Sequence, residues 1–188
     1  MPLVIPTGEG TGFIRFKPTE NAWFMSGPDG IQEFEWKTAV VVDVENAQLG
    51  YLLLAPGIRD WIEWPDNDRT KAEKPEGEYK TAVKVQFFSP KTFGDDDPVR
   101  ELCTSTVGVV TFIQDLYAAA ETKFKEGVPV VDIDGSTPLK IGKGSTRVPQ
   151  FTIKKFIDRP DELVFSNGHD VGESDQPKAT EPDDDDEF

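Results

Sequence analysis

The sequence is poor in the residues that most often build catalytic and metal sites. It has one cysteine, one histidine and two methionines in 188 residues. A single cysteine excludes an internal disulfide and favours a reducing compartment, and one His with one Cys cannot supply the usual zinc ligands. No apolar run approaches the roughly 18 residues of a membrane span, and the first residues lack the features of a signal peptide. We therefore expect a cytoplasmic protein without a membrane segment, metal or other cofactor.

The few reactive side chains do not form a catalytic arrangement. His169 lies in a polar C-terminal stretch where no pocket would hold it, and Cys103 has the apolar neighbours of a core residue. The glycine-rich run from Gly142 to Arg147 lacks the four-residue gap of a phosphate-binding loop and leads into a strand instead of a helix. We interpret the chain as a non-enzymatic protein.

Charge is distributed unevenly along the chain. The net charge is −15, and residues 166–188 carry −8 of it, nine acids against Lys178. The last eight residues, Glu-Pro-Asp-Asp-Asp-Asp-Glu-Phe, cannot pack into a core because each buried carboxylate would lose its hydration. By contrast, residues 135–156 contain five bases and no acid. These patterns divide the chain into a folded domain over 1–165 and a disordered acidic tail over 166–188.

The hydropathy pattern predicts mainly β structure. Alternating or β-branched runs separated by Gly and Pro turns are typical of strands, and such runs occupy residues 13–17, 32–44, 50–54, 79–88, 128–133, 138–141 and 148–157. Asp95-Asp96-Asp97-Pro98 has the residues of a helix start, and apolar residues at helical spacing then predict one helix, firmest over 107–125.

This order of elements is that of a five-stranded OB-fold-like barrel. In that fold one helix lies between the third and fourth strands, and a hairpin closes the barrel. A β-sandwich with one helix would give nearly the same pattern, so it stays open as the alternative fold.

Aromatic and basic residues make nucleic acid a candidate ligand. Single strands are bound by aromatic faces that stack on bases and by cations that contact phosphates. The candidate stacking residues are Phe16, Trp36, Trp61, Trp64, Tyr79 and Phe88. The candidate phosphate-binding residues are Arg15, Lys17, Lys37, Lys84, Lys140, Lys143, Arg147, Lys154 and Lys155. Each has an ordinary alternative, since most aromatics in a small barrel are core and most bases belong to a solvated face.

Four of these residues have a more specific basis. Trp61 and Trp64 adjoin a long polar loop with little apolar sequence around it. Lys143 and Arg147 lie in the loop between the last two predicted strands, which is one of the two loops that line the ligand groove of an OB barrel.

The C-terminus resembles that of a known family. Phage-type single-stranded DNA-binding proteins have an OB domain followed by an acidic tail that ends in Phe, and Asp183 to Phe188 look like such a tail. The opening Gly12-Phe13-Ile14-Arg15-Phe16-Lys17-Pro18 is similar in texture. The resemblance implies a sequence-tolerant protein that protects single-stranded DNA during phage replication, recombination or repair in the host-cell cytoplasm.

The resemblance also implies two roles for the tail. It would compete with DNA for the basic groove, and it would recruit replication or recombination enzymes. The implied partner-binding residues are Asp183, Asp184, Asp185, Asp186, Glu187 and Phe188. Two other classes stay open, a chaperone or assembly factor for basic proteins and a virion structural or decoration protein. Monomer and dimer are both open.

Overall fold

The computed structural model describes residues 11–65 and 73–163, which form ten strands and one main helix. The strands are β1 Phe13–Lys17, β2 Ala22–Gly27, β3 Gly30–Phe34, β4 Val40–Val42, β5 Gln48–Ala55, β6 Ile58–Glu63, β7 Lys80–Phe88, β8 Val99–Thr104, β9 Val128–Ile141 and β10 Gly144–Ile157. The main helix, α2, spans Val107–Ala120 and continues as a 3₁₀ segment over Glu121–Glu126. A single helical turn, α1, spans Pro90–Phe93.

All ten strands belong to one curled sheet. Its order is β10-β9-β4-β7-β8-β1-β2-β3, and the β5–β6 hairpin joins it through β7. The strand pairs are antiparallel except for β1 with β8, which run parallel. Distant segments of the chain are therefore neighbours at the centre of the sheet.

Strand β7 lies at the point where the sheet divides. One edge of β7 pairs with β8 over most of its length. Its other edge pairs first with β5, from Lys80 to Lys84, and then with β4 at Phe87 and Phe88. The turn at Val44–Ala47 separates β4 from β5. One branch of the sheet therefore continues into the β9–β10 hairpin and the other into β6.

The main core lies on the inner face of the sheet, which α2 covers. The helix buries Val109, Phe112, Ile113 and Leu116 against the sheet, and burial of each such side chain contributes about 2 kcal/mol. Its first turn approaches β10 closely. A Cβ added to Gly108 would lie 2.1 Å from the carbonyl oxygen of Arg147.

Aromatic rings fill the other half of this core. Trp23 contacts Phe16, Trp36, Phe87 and Phe112 with ring centroids 5.2–6.4 Å apart. Edge and tilted contacts of this kind are favourable beyond the area that they bury. Most of the aromatic residues that the sequence presents thus belong to the core.

A second, smaller core lies on the outer face. Val41, Val99, Val128 and Val130 are buried there together with Leu163, the last described residue. The segment that leads to Leu163 is held by Arg159, whose Nε and Nη2 donate to Asp43 Oδ2 at 3.1 and 2.5 Å. The described residues therefore end on the outer face.

The prediction of a mainly β fold with one main helix is confirmed. The count of five strands is not, because the described residues form ten strands, and these make one hydrogen-bonded sheet where a sandwich has two. The predicted helix over 107–125 matches α2 and the 3₁₀ segment that follows it.

Two local predictions were wrong. Asp95 to Pro98 do not start a helix, because the residues after them form β8, which fills the gap between β7 and β1. The predicted strand over 32–44 is broken, since β3 ends at Phe34 and β4 begins at Val40.

The acidic tail lies outside the described residues. So do His169, the predicted partner-binding residues Asp183 to Phe188 and the predicted domain boundary at residue 165. Across residues 11–65 and 73–163, no helix has both the length and the apolar character that crossing a membrane requires.

We predict that Arg159→Ala destabilises the fold. Asp43 has a side chain that is 3% exposed, and the change removes its cationic partner, whose own side chain is 31% exposed. Because Arg159 is partly solvated, we expect a loss of about 2 kcal/mol, less than for a fully buried pair. Urea unfolding followed by circular dichroism measures it. The exposed base variant Lys125→Ala is the control, and an equal loss in both variants would contradict this account.

Candidate functional site

A row of side chains crosses the outer face at right angles to the strands. The sheet register places Arg15 opposite Phe24, and Lys84 opposite both Cys103 and Gln48. The parallel pairing of β1 with β8 places Arg15 beside Cys103. Because side chains alternate between the faces of a strand, all five point away from the α2 core.

Trp61 from β6 extends over this row. Its ring lies 4.7 Å from the Lys84 Nζ. The ring packs against the backbone of β5, because a Cβ added to Gly50 would lie 2.7 Å from it. Glycine at position 50 thus makes room for the indole, which is half-buried beside a cation.

Phe24 on β2 has a similar environment at the other end of the row. The Lys17 Nζ lies 4.3 Å from its ring centroid and the Arg15 Cζ 5.8 Å from it. Lys17 also forms a 2.8 Å ion pair with Glu20. The half-buried rings of Trp61 and Phe24 therefore both have cations over them.

Arg59 and Cys103 lie between these rings. Burial raises the pKa of the Cys103 thiol, whereas a hydrogen bond from Arg59 and the charges of Arg59 and Lys84 act in the opposite direction. The β5–β6 hairpin thus brings Arg59 close to β8. We use the name basic row for the six residues Arg15, Lys17, Phe24, Arg59, Trp61 and Lys84.

Acidic residues border the basic row. Glu33 lies opposite Phe24 on β3, and Glu101 lies opposite Phe13 on β1 and Gln86 on β7. The four bases of the row therefore belong to a surface of mixed charge. An anionic ligand would be held where the row runs, and acids would repel it on either side.

The predicted bases of the last hairpin have several environments. Arg147 is tied within the hairpin, with Nε donating to Ser136 Oγ at 2.7 Å and Nη2 to the Ser136 carbonyl at 3.1 Å. Ser136 in turn donates to Asn21 Oδ1 in the β1–β2 turn. Lys154 pairs with Asp132 at 3.1 Å. The side chains of Lys140, Lys143 and Lys155 are exposed.

The Asn21–Ser136 hydrogen bond connects two segments that carry predicted bases, the β1–β2 turn and the β9–β10 hairpin. Asn21 follows Lys17 in the β1–β2 turn, and Ser136 belongs to the hairpin that carries Lys140 and Lys143. The structure therefore places Arg15, Lys17, Lys84 and Trp61 on one face, and Ser136 of the β9–β10 hairpin contacts the turn that follows Lys17.

Three other predicted residues lie away from the basic row. Trp36 packs against Phe34, Phe87 and Phe93 with centroids 4.8–6.0 Å apart. Trp64 is buried against Tyr51. Lys37 is exposed between β3 and β4.

Three of the candidate stacking residues are engaged with the protein. Phe16 belongs to the inner core and Phe88 to the outer-face core. Tyr79 donates a hydrogen bond to Asp60, which raises the pKa of its phenol. The basic row therefore uses none of these three rings.

A separate groove of about 360 Å³ opens between β2, β3 and β9. It exposes the edges of Phe34 and Trp36, but Glu33, Glu35 and Asp134 line it as well. Its acidic lining disfavours a phosphate chain. Within residues 11–65 and 73–163, no group of three or more His, Cys, Asp or Glu side chains is arranged to hold a metal ion.

Comparison with protein-family models, with curated proteins and with solved structures finds no match to this chain. The basic row is accordingly the starting point for a functional interpretation.

Sequence reasoning did not select Phe24 or Arg59. Phe24 lies in the run Ala22 to Met25, in which every residue is apolar. The sequence therefore does not show the alternation by which the strand directs Phe24 outward. Arg59 precedes Trp61 by two residues, and strand spacing places both on the same face once β6 is recognised. The spacing of Arg59 and Trp61 was therefore the feature of the sequence that could have identified Arg59.

We predict that alkylation of Cys103 has a pH midpoint above that of an ordinary thiol. Only the thiolate reacts, and burial raises its pKa. Arg59→Ala removes a hydrogen bond that stabilises the thiolate, so the midpoint should move to still higher pH. The measurement is the rate of iodoacetamide labelling against pH. A change in access alone alters the maximal rate, whereas a downward or absent shift of the midpoint would contradict the Arg59 contact.

Proposed function

We propose that this protein is a sequence-tolerant single-stranded DNA-binding protein, as its tail resembles those of the phage-type family. The observation that carries the proposal is the basic row, where two half-buried aromatic rings alternate with four cations across the outer face of the sheet. Bases would stack on Trp61 and Phe24. Phosphates would contact Arg15, Lys84 and Arg59.

Replacement of the cations over the rings by DNA bases is energetically favourable. A cation–π contact at an exposed site contributes about 0.5–1 kcal/mol, whereas stacking of a base on an aromatic side chain contributes about 1–3 kcal/mol. A base that replaces Lys84 over Trp61 therefore gains more than is lost. The displaced ammonium then lies beside the strand, where it can pair with a phosphate.

The proposed contacts do not depend on base identity. Every base has a face that can stack, and every nucleotide has a phosphate. The side chains of the row are cations and rings, which do not distinguish base edges in a fixed geometry. Tolerance of sequence follows from that chemistry.

The proposed path of the strand draws on the OB likeness. In OB barrels the ligand crosses the sheet between the first loop and the loop of the last hairpin. In this chain the β1–β2 turn and the β9–β10 hairpin meet at Asn21 and Ser136. We place Lys140 and Lys143 at the border of the path as further phosphate contacts, and Arg147 as the residue that positions the hairpin.

The tail has a proposed role because of where the chain leaves the fold. Leu163 is buried on the outer face, with Val99 and Phe88, and residues Phe88 and Lys84 are on the same face of β7. A tethered polyanion that starts on this face reaches a high effective concentration at the basic row. DNA would displace it and release Phe188 for replication or recombination enzymes.

We predict that oligo-dT quenches Trp61 fluorescence in a salt-dependent way. Trp61→Phe should lose most of the quenching because Trp23 and Trp64 are buried and Trp36 faces the acidic groove, and Trp36→Phe should keep it. Each lost phosphate contact lowers the slope of log affinity against log salt by about 0.7. Lys84→Ala should therefore show a smaller slope than wild type, and the exposed-base control Lys91→Ala should not.

Two results of this titration would contradict the proposal. One is quenching that persists in Trp61→Phe and vanishes in Trp36→Phe, which would move the site to the acidic groove. The other is binding that does not respond to salt, because phosphate contacts release counterions.

We predict that deletion of residues 181–188 preserves or raises DNA affinity and weakens binding to a replication enzyme. The reason is that the deletion removes the competing carboxylates together with the terminal ring. Anisotropy of labelled oligo-dT measures the first effect. A collapse of DNA affinity would show that the tail supports binding, and the competition model would then be wrong.

A further inference from the structure

The β5–β6 hairpin forms an open end of the sheet. Among the described strands, β6 pairs with β5 alone, and the hairpin residues from Leu53 to Asp60 pair only with each other, because the pairing of β5 with β7 starts at Leu52. Leu54, Ile58 and Ile62 of this hairpin are 64%, 55% and 39% exposed. These are three of the six large exposed apolar side chains in the described part of the chain.

Strand β6 has charged side chains at Arg59, Asp60 and Glu63 but lacks three other common protections of a sheet edge. Edges are normally blocked by lysine, proline or a bulge. The sequence Ile58-Arg-Asp-Trp-Ile-Glu63 has neither Lys nor Pro, and its pairing with β5 is continuous. At another edge, β10 carries Lys154 and Lys155 and has two register shifts. The β3 edge exposes one large apolar side chain, Ile31, where β6 exposes two. Among the described edges, β6 thus presents the most apolar surface on a regular, lysine-free strand.

The backbone groups of three β6 residues point to the open edge. A two-residue turn, Pro56-Gly57, joins the strands, and its closing pair, Ala55 and Ile58, is a hydrogen-bonded one. The alternation continues to Trp64, whose N–H donates to the Leu49 carbonyl. Even-numbered residues therefore bond to β5, and the odd-numbered residues of the strand present their N–H and C=O groups outward. These are Arg59, Trp61 and Glu63.

This edge is complementary to itself. If two copies pair antiparallel with Trp61 opposite Trp61, Arg59 lies opposite Glu63 on both sides of the axis, and all three outward residues form hydrogen-bonded pairs. A register centred on Asp60 instead of Trp61 would place the two Asp60 carboxylates opposite each other. It would also leave fewer of the outward-facing residues in hydrogen-bonded pairs. Opposite charges across a ladder stabilise it and like charges destabilise it. Charge pairing and backbone hydrogen bonding thus both favour the register centred on Trp61.

We infer that a second copy of this chain docks on β6 to form a two-fold dimer with Trp61 at its axis. Such an interface is isologous, with the same strand contributed by each copy. The paired strand is short, so association should depend on protein concentration, as expected for a small interface. The dimer itself does not depend on DNA binding.

The dimer has a consequence that rests on the proposed function. Antiparallel edge pairing keeps the outer faces of both copies on the same side of the joined sheet. The two basic rows then meet at the axis through Trp61 of each copy. One strand of DNA would cross both rows without leaving the surface.

Sedimentation of the full chain over a range of concentrations tests the dimer. Glu63→Lys places two cations opposite each other on both sides of the axis, and Arg59→Glu places two carboxylates there. Each variant alone should dimerise about tenfold more weakly. An equimolar mixture should recover wild-type association, because a heterodimer restores opposite charges at both positions. Wild-type chains that stay monomeric at every concentration, or variants that dimerise normally, would overturn the inference.

A cross-link tests the register in a separate experiment. Facing Cα atoms of a hydrogen-bonded pair are about 5.5 Å apart, within the range of a disulfide. Trp61→Cys with Cys103→Ser should therefore form an intermolecular disulfide on oxidation, and Leu54→Cys in the same background should not. Equal cross-linking of both variants would contradict the register. If the wild-type protein fails to bind DNA while this cross-link forms in the variant, only the proposed function is lost.

Discussion

The shared edge of β7 is the constraint on which the rest of the structure depends. One strand cannot pair with β4 and β5 at the same positions, so the chain bends at Val44–Ala47 and each partner takes half of the edge. The bend sends β4 toward the long β9–β10 hairpin and β5 toward β6. The inner face between the branches is filled by α2 and by the Trp23 cluster, whereas the outer face carries the smaller core at Val99 and Phe88 and, beyond it, the basic row.

Strand alternation places the cations of the site on this outer face. Val83, Val85 and Phe87 point to the core, so Lys84 and Gln86 between them must point outward. The parallel contact of β1 with β8 then brings the cations of two distant segments into one row. A close approach of the β6 indole to the glycine of β5 adds an aromatic ring from a third segment. The site is thus a product of sheet register, and no single stretch of sequence contains it.

That origin explains which features could be predicted from the sequence. Arg15, Lys17 and Lys84 occupy polar positions in alternating strands, so their shared outward orientation follows from period two. Trp36 and Trp61 both lie beside polar residues in the sequence. Only the tertiary structure distinguishes them, because the Trp36 ring packs on Phe87 and the Trp61 ring packs on the backbone of β5. The parallel pairing of β1 with β8 links residues about 90 positions apart. Local sequence patterns do not reveal a pairing over that separation. The same missing contact led to the wrong helix start at Asp95 to Pro98.

The most direct test of the account is a map of where DNA lies. Ultraviolet cross-linking of oligo-dT to the full chain, followed by peptide sequencing, reports the side chains that touch bases. We expect adducts at Trp61 and Phe24, from β6 and β2, suppressed by high salt. Adducts confined to Trp36 and the groove between β3 and β9, or no adducts at low salt, would contradict the claim that the outer face binds single-stranded DNA.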